Sequence, residues 1–264
     1  MTLLRVEGLT KGFGGVHAVA DLQFSISAGA VFSIIGPNGA GKTTLLNLLT
    51  GIYTPSSGRI FIEERDLTGR APFEYAASGI GRTFQNLQVF FNMSACENVM
   101  VGRYMHERCS LGAALLRFPG LGRAERASRD EAEALLRFVG LGDYVGAHSD
   151  ALPYGALKRL EIARALATKP RLLLLDEPAA GLNPSETLEI DALISKLARS
   201  GVTVVLVEHN MRLVMGVSDH ILVLDYSRRL AEGTAEEVRR DPRVIEAYLG
   251  SEVAHTSAPA QRAH

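Results

Sequence analysis

Residues 36–44 form the segment of the sequence with the clearest chemistry. They read Gly-Pro-Asn-Gly-Ala-Gly-Lys-Thr-Thr, which fits the pattern G-x-x-x-x-G-K-[ST]. Glycines let such a loop curl tightly, so successive N–H groups point inward at a polyphosphate, and a helix N-terminus adds partial positive charge. Lys42 could then reach the β- and γ-phosphates, and the Thr43 hydroxyl could bind Mg²⁺. The predicted phosphate-binding residues are Gly36, Pro37, Asn38, Gly39, Ala40, Gly41, Lys42, Thr43 and Thr44.

The segments on either side of this loop supply the setting that it needs. Residues 30–35 are an apolar run rich in β-branched residues and predict a strand, whereas residues 43–49 predict a helix with leucines on one side. A strand, a glycine loop and a helix in this order favour a phosphate loop over a glycine-rich turn with a chance lysine. The sequence therefore predicts binding of a nucleoside triphosphate.

A pair of acidic residues at positions 176 and 177 could supply the metal and the base for hydrolysis. Residues 172–176 read Leu-Leu-Leu-Leu-Asp, an apolar run typical of a buried parallel strand, whose carboxyl end faces a ligand crevice. Asp176 there could hold Mg²⁺ through its water shell, while Glu177 could polarise an attacking water. The alternative is a solvent-facing acidic pair before Pro178. The presence of a phosphate loop favours the functional interpretation.

Composition restricts the classes of protein that remain possible. The 264 residues are 47% hydrophobic and 22% charged, with a formal net charge of −1, so no overall positive charge favours nucleic acid. No apolar run approaches the length of a membrane span, and a role at a membrane would require another chain as anchor. Cys96 and Cys109 are predicted to stay reduced and to serve packing.

The hydrophobic pattern divides the chain into regions. Residues 3–62 are predicted to be rich in β-strands, and residues 93–155 to be helical, with a glycine and proline cluster at 118–123 separating helices. Alternating strands and helices follow, with further strands at 202–207 and 221–224.

One helix start after residue 182 is predicted in detail. Asn183 is the expected N-cap, Pro184 the first helical residue, and Glu186 completes a capping box.

The order of these motifs resembles that of the ATP-binding subunits of ABC transporters over about residues 1–250. Further matching positions are Phe13 in Lys-Gly-Phe-Gly-Gly, Gln85 in Gly-Arg-Thr-Phe-Gln-Asn, and His209 in Leu-Val-Glu-His-Asn. The resemblance implies that Phe13 stacks on adenine, that Gln85 senses the metal and the γ-phosphate, and that His209 keeps the γ-phosphate and the catalytic glutamate in register.

The resemblance also implies a fold and a set of cofactors. The expected fold is α/β, a P-loop NTPase (RecA-like) core with an N-terminal antiparallel β subdomain and an inserted α-helical subdomain at about 90–160. One ATP-binding domain would span 1–250, and 251–264 would be a flexible tail. The implied cofactors are ATP and Mg²⁺. The catalytic set would be Glu177, His209 and Lys42, and the metal set Thr43, Gln85 and Asp176.

The segment that should carry the family signature departs from it. Where the family commonly reads L-S-G-G-Q, residues 152–156 read Leu-Pro-Tyr-Gly-Ala. Pro153 offers no hydroxyl or N–H, and Ala156 offers no amide. The Gly155 N–H and the following helix N-terminus remain, and are worth about 0.3 to 2 kcal/mol toward an anion. We therefore expect the composite site that uses this signature to hold nucleotide less tightly than a site with the full pattern.

The partners implied by the resemblance are membrane proteins. Two ATP-binding subunits would sandwich two ATP molecules head to tail at the cytoplasmic face of the plasma membrane. They would dock two permease subunits and serve a periplasmic or extracellular substrate-binding protein indirectly, with no nucleic acid. The resemblance suggests that the two ATP-binding subunits form a heterodimer, and a homodimer is the alternative.

Phe90, Phe91 and Met93 are candidates for an apolar groove that receives a partner helix, or for packing within the helical subdomain.

Several stretches resemble the subfamily that imports branched-chain amino acids, chiefly residues 81–90, 97–102, 158–164 and 244–250. Other hydrophobic amino acids, urea or short amides are alternative cargoes for the same architecture.

Two other classes of protein are a soluble ABC-type ATPase acting on nucleic acid and a nucleotide kinase. The former usually carries two cassettes or heptad arms, and the latter would leave Gln85, the signature and His209 unexplained.

Overall fold

The computed structural model describes residues 1–104 and 119–248, which cluster into two compact units. The first unit comprises residues 1–75 with the described part of 203–264, and the second comprises residues 76–202. The strands are β1 Thr2–Phe13, β2 Val16–Ser27, β3 Val31–Ile35, β4 Ser57–Ile62, β5 Arg65–Asp66, β6 Ile80–Arg82, β7 Leu172–Asp176, β8 Thr203–Val207, β9 His220–Asp225 and β10 Arg228–Gly233. The helices are α1 Lys42–Leu49, α2 Pro72–Ala77, α3 Ala95–Arg103, α4 Pro119–Phe138, α5 Tyr154–Ala167, α6 Pro184–Arg199, α7 Met211–Val217 and α8 Ala235–Arg240.

An antiparallel sheet in the first unit has the strand order β2-β1-β4-β5. Leu4 on β1 pairs with Ile26 on one side and with Ile62 on the other, and all three side chains are buried. Burial alternates along most of β2, as expected for a strand with one face on the core and the other in water.

The parallel strands of the first unit lead into the phosphate loop. β3 pairs in parallel with β8 and with β9, and β10 adds to β9 in the antiparallel sense. Every residue of β3 and β8 is buried, which explains their continuous apolar sequences. Residues 242–248 are helical, and Val244 and Tyr248 pack on a cluster that includes Ile35 at the end of β3.

The second unit combines a pair of parallel strands, β6 and β7, with the longer helices. α3 packs against α4 and α5. Its start is fixed by a capping box, because Ser94 accepts from the Glu97 N–H while the Glu97 carboxylate accepts from the Ser94 N–H. α6 starts with the predicted capping box of Asn183 and Glu186, with Pro184 at the first turn, which confirms that prediction.

The structure corrects one prediction about the helical region. The cluster at residues 118–123 was expected to separate helices, but α4 begins at Pro119 and continues through the glycines. A proline is tolerated in the first turn of a helix because the N–H that it lacks would have no helical partner there. The later residues of α4, such as Ala132 and Leu136, are buried and hold the helix against the unit.

Several other expectations can be placed against the described residues. Cys96 is buried and reduced, whereas Cys109 and the predicted tail at 251–264 lie outside the described part of the chain. Within residues 1–104 and 119–248, no helix has both the length and the apolar character needed to cross a bilayer. The predicted boundaries of the ATP-binding domain and its helical subdomain stay predictions.

Candidate nucleotide site

The phosphate loop connects β3 to α1, and its glycines are required by close backbone approaches. Gly36 has φ 151° and Gly41 has φ 101°, in the left-handed half of backbone space. A Cβ on Gly36 would overlap the carbonyl oxygen of Leu224, and one on Gly41 would overlap that of Ala18. The loop can therefore take this path only with glycine at both positions.

Lys42 lies over the loop that it is predicted to serve. Its ammonium donates to the carbonyl oxygens of Gly36 at 2.6 Å and Pro37 at 3.0 Å, and the side chain is buried. Thr43 is exposed at the start of α1. The ammonium is thus held at the loop and the hydroxyl is open to solvent, and their contacts to phosphates and a metal stay predictions.

Phe13 ends β1 and leaves an aromatic surface open to solvent, with 45% of the residue exposed. Tyr53 packs edge-on against it, with ring centroids 5.3 Å apart, and the Lys11 ammonium lies 5.0 Å from the Phe13 centroid. The sequence did not single out Tyr53, because it is remote from Phe13 along the chain. Such a surface can stack on a planar base.

His209 follows β8, with a side chain that is 67% exposed. The carboxylate of Glu208 beside it is buried and accepts hydrogen bonds from the N–H groups of His209 and Asn210 at 3.1 Å and 3.4 Å. These bonds fix the backbone that presents the imidazole. Glu208 was not among the residues selected from sequence, although an acid directly before a candidate histidine was a possible signal.

Asp176 ends β7 in the second unit and is held by an arginine. The Arg82 guanidinium donates to Asp176 Oδ2 at 2.9 Å, and both side chains are 6% exposed. Burial raises the pKa of the Asp176 carboxyl, while the hydrogen bond and charge of Arg82 work in the opposite direction. The structure therefore adds Arg82, which sequence reasoning missed, to the surroundings of the predicted metal ligand.

Glu177 and Gln85 are brought together in the same unit. The Gln85 side-chain amide donates to Glu177 Oε2 at 3.1 Å, and the Lys158 ammonium donates to the Gln85 carbonyl oxygen at 3.1 Å. Glu177 has φ 48°, a conformation that non-glycine residues rarely adopt and that is concentrated at functional sites. The contact links the predicted base to the predicted γ-phosphate sensor.

Gly155 lies in the first turn of α5, whose N-cap Pro153 makes no side-chain hydrogen bond to the helix. A Cβ at Gly155 would lie 2.5 Å from Glu186 Oε1, so glycine allows this carboxylate to approach. Ala156 is buried, whereas Tyr154 is exposed. The signature helix thus starts without a side-chain cap and with an acid beside its glycine, and the weaker nucleotide binding expected from its sequence stays a prediction.

The predicted site residues divide between the units. Phe13, the phosphate loop and His209 belong to the first, and Gln85, Gly155, Asp176 and Glu177 belong to the second. The candidate metal ligands Thr43, Gln85 and Asp176 offer a hydroxyl, an amide oxygen and a carboxylate, which are the hard oxygen donors that Mg²⁺ prefers. Among the described residues, no cluster of three or more His, Cys, Asp or Glu side chains could hold a metal by itself. Each of these donors is therefore of a type that fits Mg²⁺.

A groove of about 480 Å³ lies in the second unit, next to the strand that carries Arg82. Apolar side chains form much of its wall, and Glu161 and Arg164 supply charge. The lining residues include Arg82, Phe84, Phe90, Val101, Glu161 and Arg164. Of the three residues proposed from sequence for an apolar groove, Phe90 lines this one, whereas Phe91 and Met93 are not among its lining residues.

Comparison with known proteins identifies the family. Residues 19–180 match the family model described as ABC transporter. The chain belongs to the ABC transporter family. Residues 228–254 also match a model described as branched-chain amino acid ATP-binding cassette transporter.

Curated ABC proteins match the chain along nearly its whole length. BraF of Pseudomonas aeruginosa, a high-affinity branched-chain amino acid transport ATP-binding protein, is 45% identical over 94% of this chain and 98% of its own. LivG of Escherichia coli, which carries the same description, is 43% identical over the same shares. The chain is therefore an ATP-binding cassette that hydrolyses ATP as a subunit of a transporter.

Solved ABC cassettes confirm the fold. An ATP-binding cassette of an ABC transporter in its ADP conformation has a TM-score of 0.82 at 32% identity, covering 95% of this chain and 99% of that one. A dimeric cassette bound to ADP and phosphate has a TM-score of 0.74 at 25% identity, covering 88% and 99%. The predicted α/β P-loop NTPase core is thus confirmed, and cassettes of this fold bind nucleotide.

Proposed function

We propose that this ABC ATPase energises the import of branched-chain amino acids through partner membrane permeases. The observation that carries the proposal is the full-length similarity to BraF and LivG, together with the match of residues 228–254 to a branched-chain amino acid model. Other hydrophobic amino acids, urea and short amides are the alternative cargoes, because selectivity in such systems belongs to the binding protein and the permeases.

The phosphate loop is proposed to grip the ATP triphosphate. Its curled backbone and the α1 N-terminus favour the anionic tail, and Lys42 would exchange its two carbonyl partners for phosphate oxygens. Phe13, with Tyr53 beside it, would stack on the adenine. These groups would bind and orient ATP, and they would take no part in breaking its phosphate bond.

The carboxylates of the second unit are proposed to support hydrolysis. Thr43, Gln85 and Asp176 would hold Mg²⁺, which neutralises charge on the phosphates when it is bound. Glu177 would accept the proton of the attacking water, and its hydrogen bond with Gln85 would let it respond to the γ-phosphate. His209, supported by Glu208, would hold the γ-phosphate and Glu177 in register.

The working assembly is proposed to contain a second ATP-binding subunit and two permeases at the cytoplasmic face of the plasma membrane. In a head-to-tail sandwich, Gly155 and the α5 N-terminus would face the ATP held by the partner cassette. A heterodimer is favoured by the resemblance, and the solved dimeric cassettes support pairing in general. A periplasmic or extracellular binding protein would act through the permeases.

The groove of the second unit is proposed to receive a helix of a permease. Phe84, Phe90 and Val101 offer apolar contacts, and Glu161 and Arg164 can select a complementary polar side chain. Phe84 and Phe90 are both exposed, so contact with a partner would remove apolar surface from water.

The proposal is tested by co-purification with candidate permeases, followed by an ATPase assay in proteoliposomes with a binding protein. Leucine, isoleucine or valine should stimulate hydrolysis, and urea and acetamide should not. Stimulation by urea or acetamide alone would overturn the assigned cargo. Stimulation by DNA or RNA in place of any solute would instead indicate a nucleic-acid ATPase.

A further inference from the structure

We propose that Arg82 is a positioning residue that couples the metal carboxylate Asp176 to the wall of the groove. The inference rests on the proposed roles of Asp176 and of the groove. It assigns to Arg82 a role that the sequence motifs did not indicate. Arg82 ends β6, beside β7 and in register with Leu174. This register brings its side chain to the end of β7, where Asp176 lies.

The pair between Arg82 and Asp176 is a buried one. The donor and acceptor atoms are 2.9 Å apart, and each side chain is 6% exposed. Removing one member of a buried ion pair strongly destabilises the protein, because the other charge is left uncompensated. A change in the position or charge state of either group should therefore affect the other. Any cation that approaches Asp176 meets the positive charge of Arg82 at short range.

The same guanidinium reaches the groove. It lies 5.0 Å from the centroid of the Phe84 ring, and both side chains line the groove. Phe84 is linked to another lining residue, because its backbone N–H donates to the buried carboxylate of Glu161 at 3.4 Å. The Arg82 guanidinium is thus in contact both with the proposed metal ligand and with a residue of the proposed docking surface.

This arrangement predicts that the Arg82 guanidinium would shift while it keeps both of its contacts. Asp176 would hold Mg²⁺, whose charge would repel the guanidinium and change its position against the Phe84 ring. Arg has several donors in a planar fork, so it can keep a hydrogen bond while it moves. By linkage, a helix seated on Phe84 alters metal binding at Asp176 as much as the metal alters helix binding.

The chain contains no tryptophan, which allows a direct test. In the full-length protein, Phe84→Trp places a single fluorophore in the groove. Phe73→Trp, at an exposed position of α2, is the matched control. Each variant is saturated with a non-hydrolysable ATP analogue in EDTA, and Mg²⁺ is then added in excess. We expect Mg²⁺ to change the emission of Phe84→Trp and to leave that of Phe73→Trp unchanged.

Arg82→Gln is then added to Phe84→Trp, and the Mg²⁺-dependent change should be lost while the analogue stays bound. Persistence of the change would overturn the proposal, as would its absence in Phe84→Trp alone when the analogue is bound. If Arg82→Gln does not fold, Arg82→Lys decides, because lysine lacks the planar fork that pairs and stacks at once. Its response should fall below about half, and a full response would contradict the proposal. Failure of Phe84→Trp and Phe73→Trp alike to retain the analogue would instead count against the proposed nucleotide site.

Discussion

Glu177 is the residue to which we assign the proton transfer, and its environment supports that role. Its backbone has an unusual positive φ, and its carboxylate accepts from the Gln85 amide at 3.1 Å. A base that is held in this way needs little reorganisation when a water molecule is positioned for attack.

Replacement of this carboxylate should stop hydrolysis while ATP still binds. We expect Glu177→Gln to lower the ATPase rate by about 10² to 10⁴-fold, the usual contribution of a general base, because the amide cannot accept the proton. Steady-state hydrolysis and binding of a fluorescent nucleotide are measured on the same preparation. Glu64→Gln, at an exposed position, is the matched control. Undiminished hydrolysis in Glu177→Gln would remove this residue from its role.

Phe13 provides a second test at the level of one side chain. We expect Phe13→Leu to weaken ATP binding about 2- to 10-fold, since an aromatic contact is worth about 0.5 to 1.5 kcal/mol beyond its area. Inorganic tripolyphosphate lacks the base, so its affinity, measured by calorimetry, should not change. Equal losses for ATP and tripolyphosphate would show that Phe13 acts through the loop and not through the adenine.

For single residues, the sequence predicted those in motifs but not the side chains that hold them in place. The phosphate loop, Asp176 and Glu177 could be located because their types and spacing carry the chemistry. Arg82 and Tyr53 could not, since each acts through a contact between distant segments of the chain. Glu208 was missed although it acts on the two residues that follow it. The Arg82 pair, for example, joins positions 94 residues apart in the chain.

The N-terminal caps of α5 and α6 differ, and both helices belong to the second unit. α6 has a full capping box from Asn183 and Glu186, whereas α5, which carries the signature, has Pro153 as an N-cap without a side-chain hydrogen bond. The two helices therefore allow opposite tests, removal of a cap from α6 and addition of a cap to α5.

Removal of the α6 cap should reduce stability without a specific effect on nucleotide. We expect Asn183→Ala to lower the free energy of unfolding by about 1 kcal/mol, because the Glu186 N–H loses its acceptor. Asn183→Ser keeps an acceptor and should cost little. Both are measured by urea denaturation. A stability of Asn183→Ala equal to that of the parent would show that the capping box does not stabilise the helix.

Pro153 permits the converse test on α5. Pro153→Ser adds a cap worth about 0.5 to 2 kcal/mol, but it also loosens the unfolded chain, which costs about 0.4 to 1 kcal/mol. Stability should therefore change little. The apparent ATP affinity of the assembled complex should rise, since the new hydroxyl can donate to a γ-phosphate. Ala156 is buried and is left unchanged, because a glutamine there would overpack the helix. An unaltered affinity would contradict the idea that the incomplete signature weakens its site.

Periodicity predicted the apolar strands and the long helix well, and the very short or polar strands poorly. β3, β7, β8 and α6 were visible as apolar runs or helical spacing. β5 and β6 were not predicted because two and three residues carry too little pattern, and β10 was not predicted because its sequence Arg-Arg-Leu-Ala-Glu-Gly contains no apolar run. Residues 119–123, which were expected to lie between helices, instead form the start of α4, since position at a helix start makes proline acceptable.

On the scale of the whole molecule, the predicted site residues come from separate regions of the chain. The first unit carries the phosphate loop, Phe13 and His209, and the second carries Gln85, Gly155 and the acidic pair. The overall fold could be predicted because the motif order is shared with a large family. The full lining of the groove could not, because tertiary packing brings its segments together from distant parts of the chain.

The central claim is that the phosphate loop holds the triphosphate tail through its backbone and Lys42. Equilibrium binding of Mg·ATP to the purified full-length chain tests it, with Lys42→Ala compared with Lys196→Ala, a lysine of α6 outside the predicted site. Binding should persist in Lys196→Ala and fall at least about tenfold in Lys42→Ala, because a charge-assisted hydrogen bond of about 1.5 to 3 kcal/mol is removed from the phosphates. Equal affinity in Lys42→Ala and the parent chain would contradict the claim.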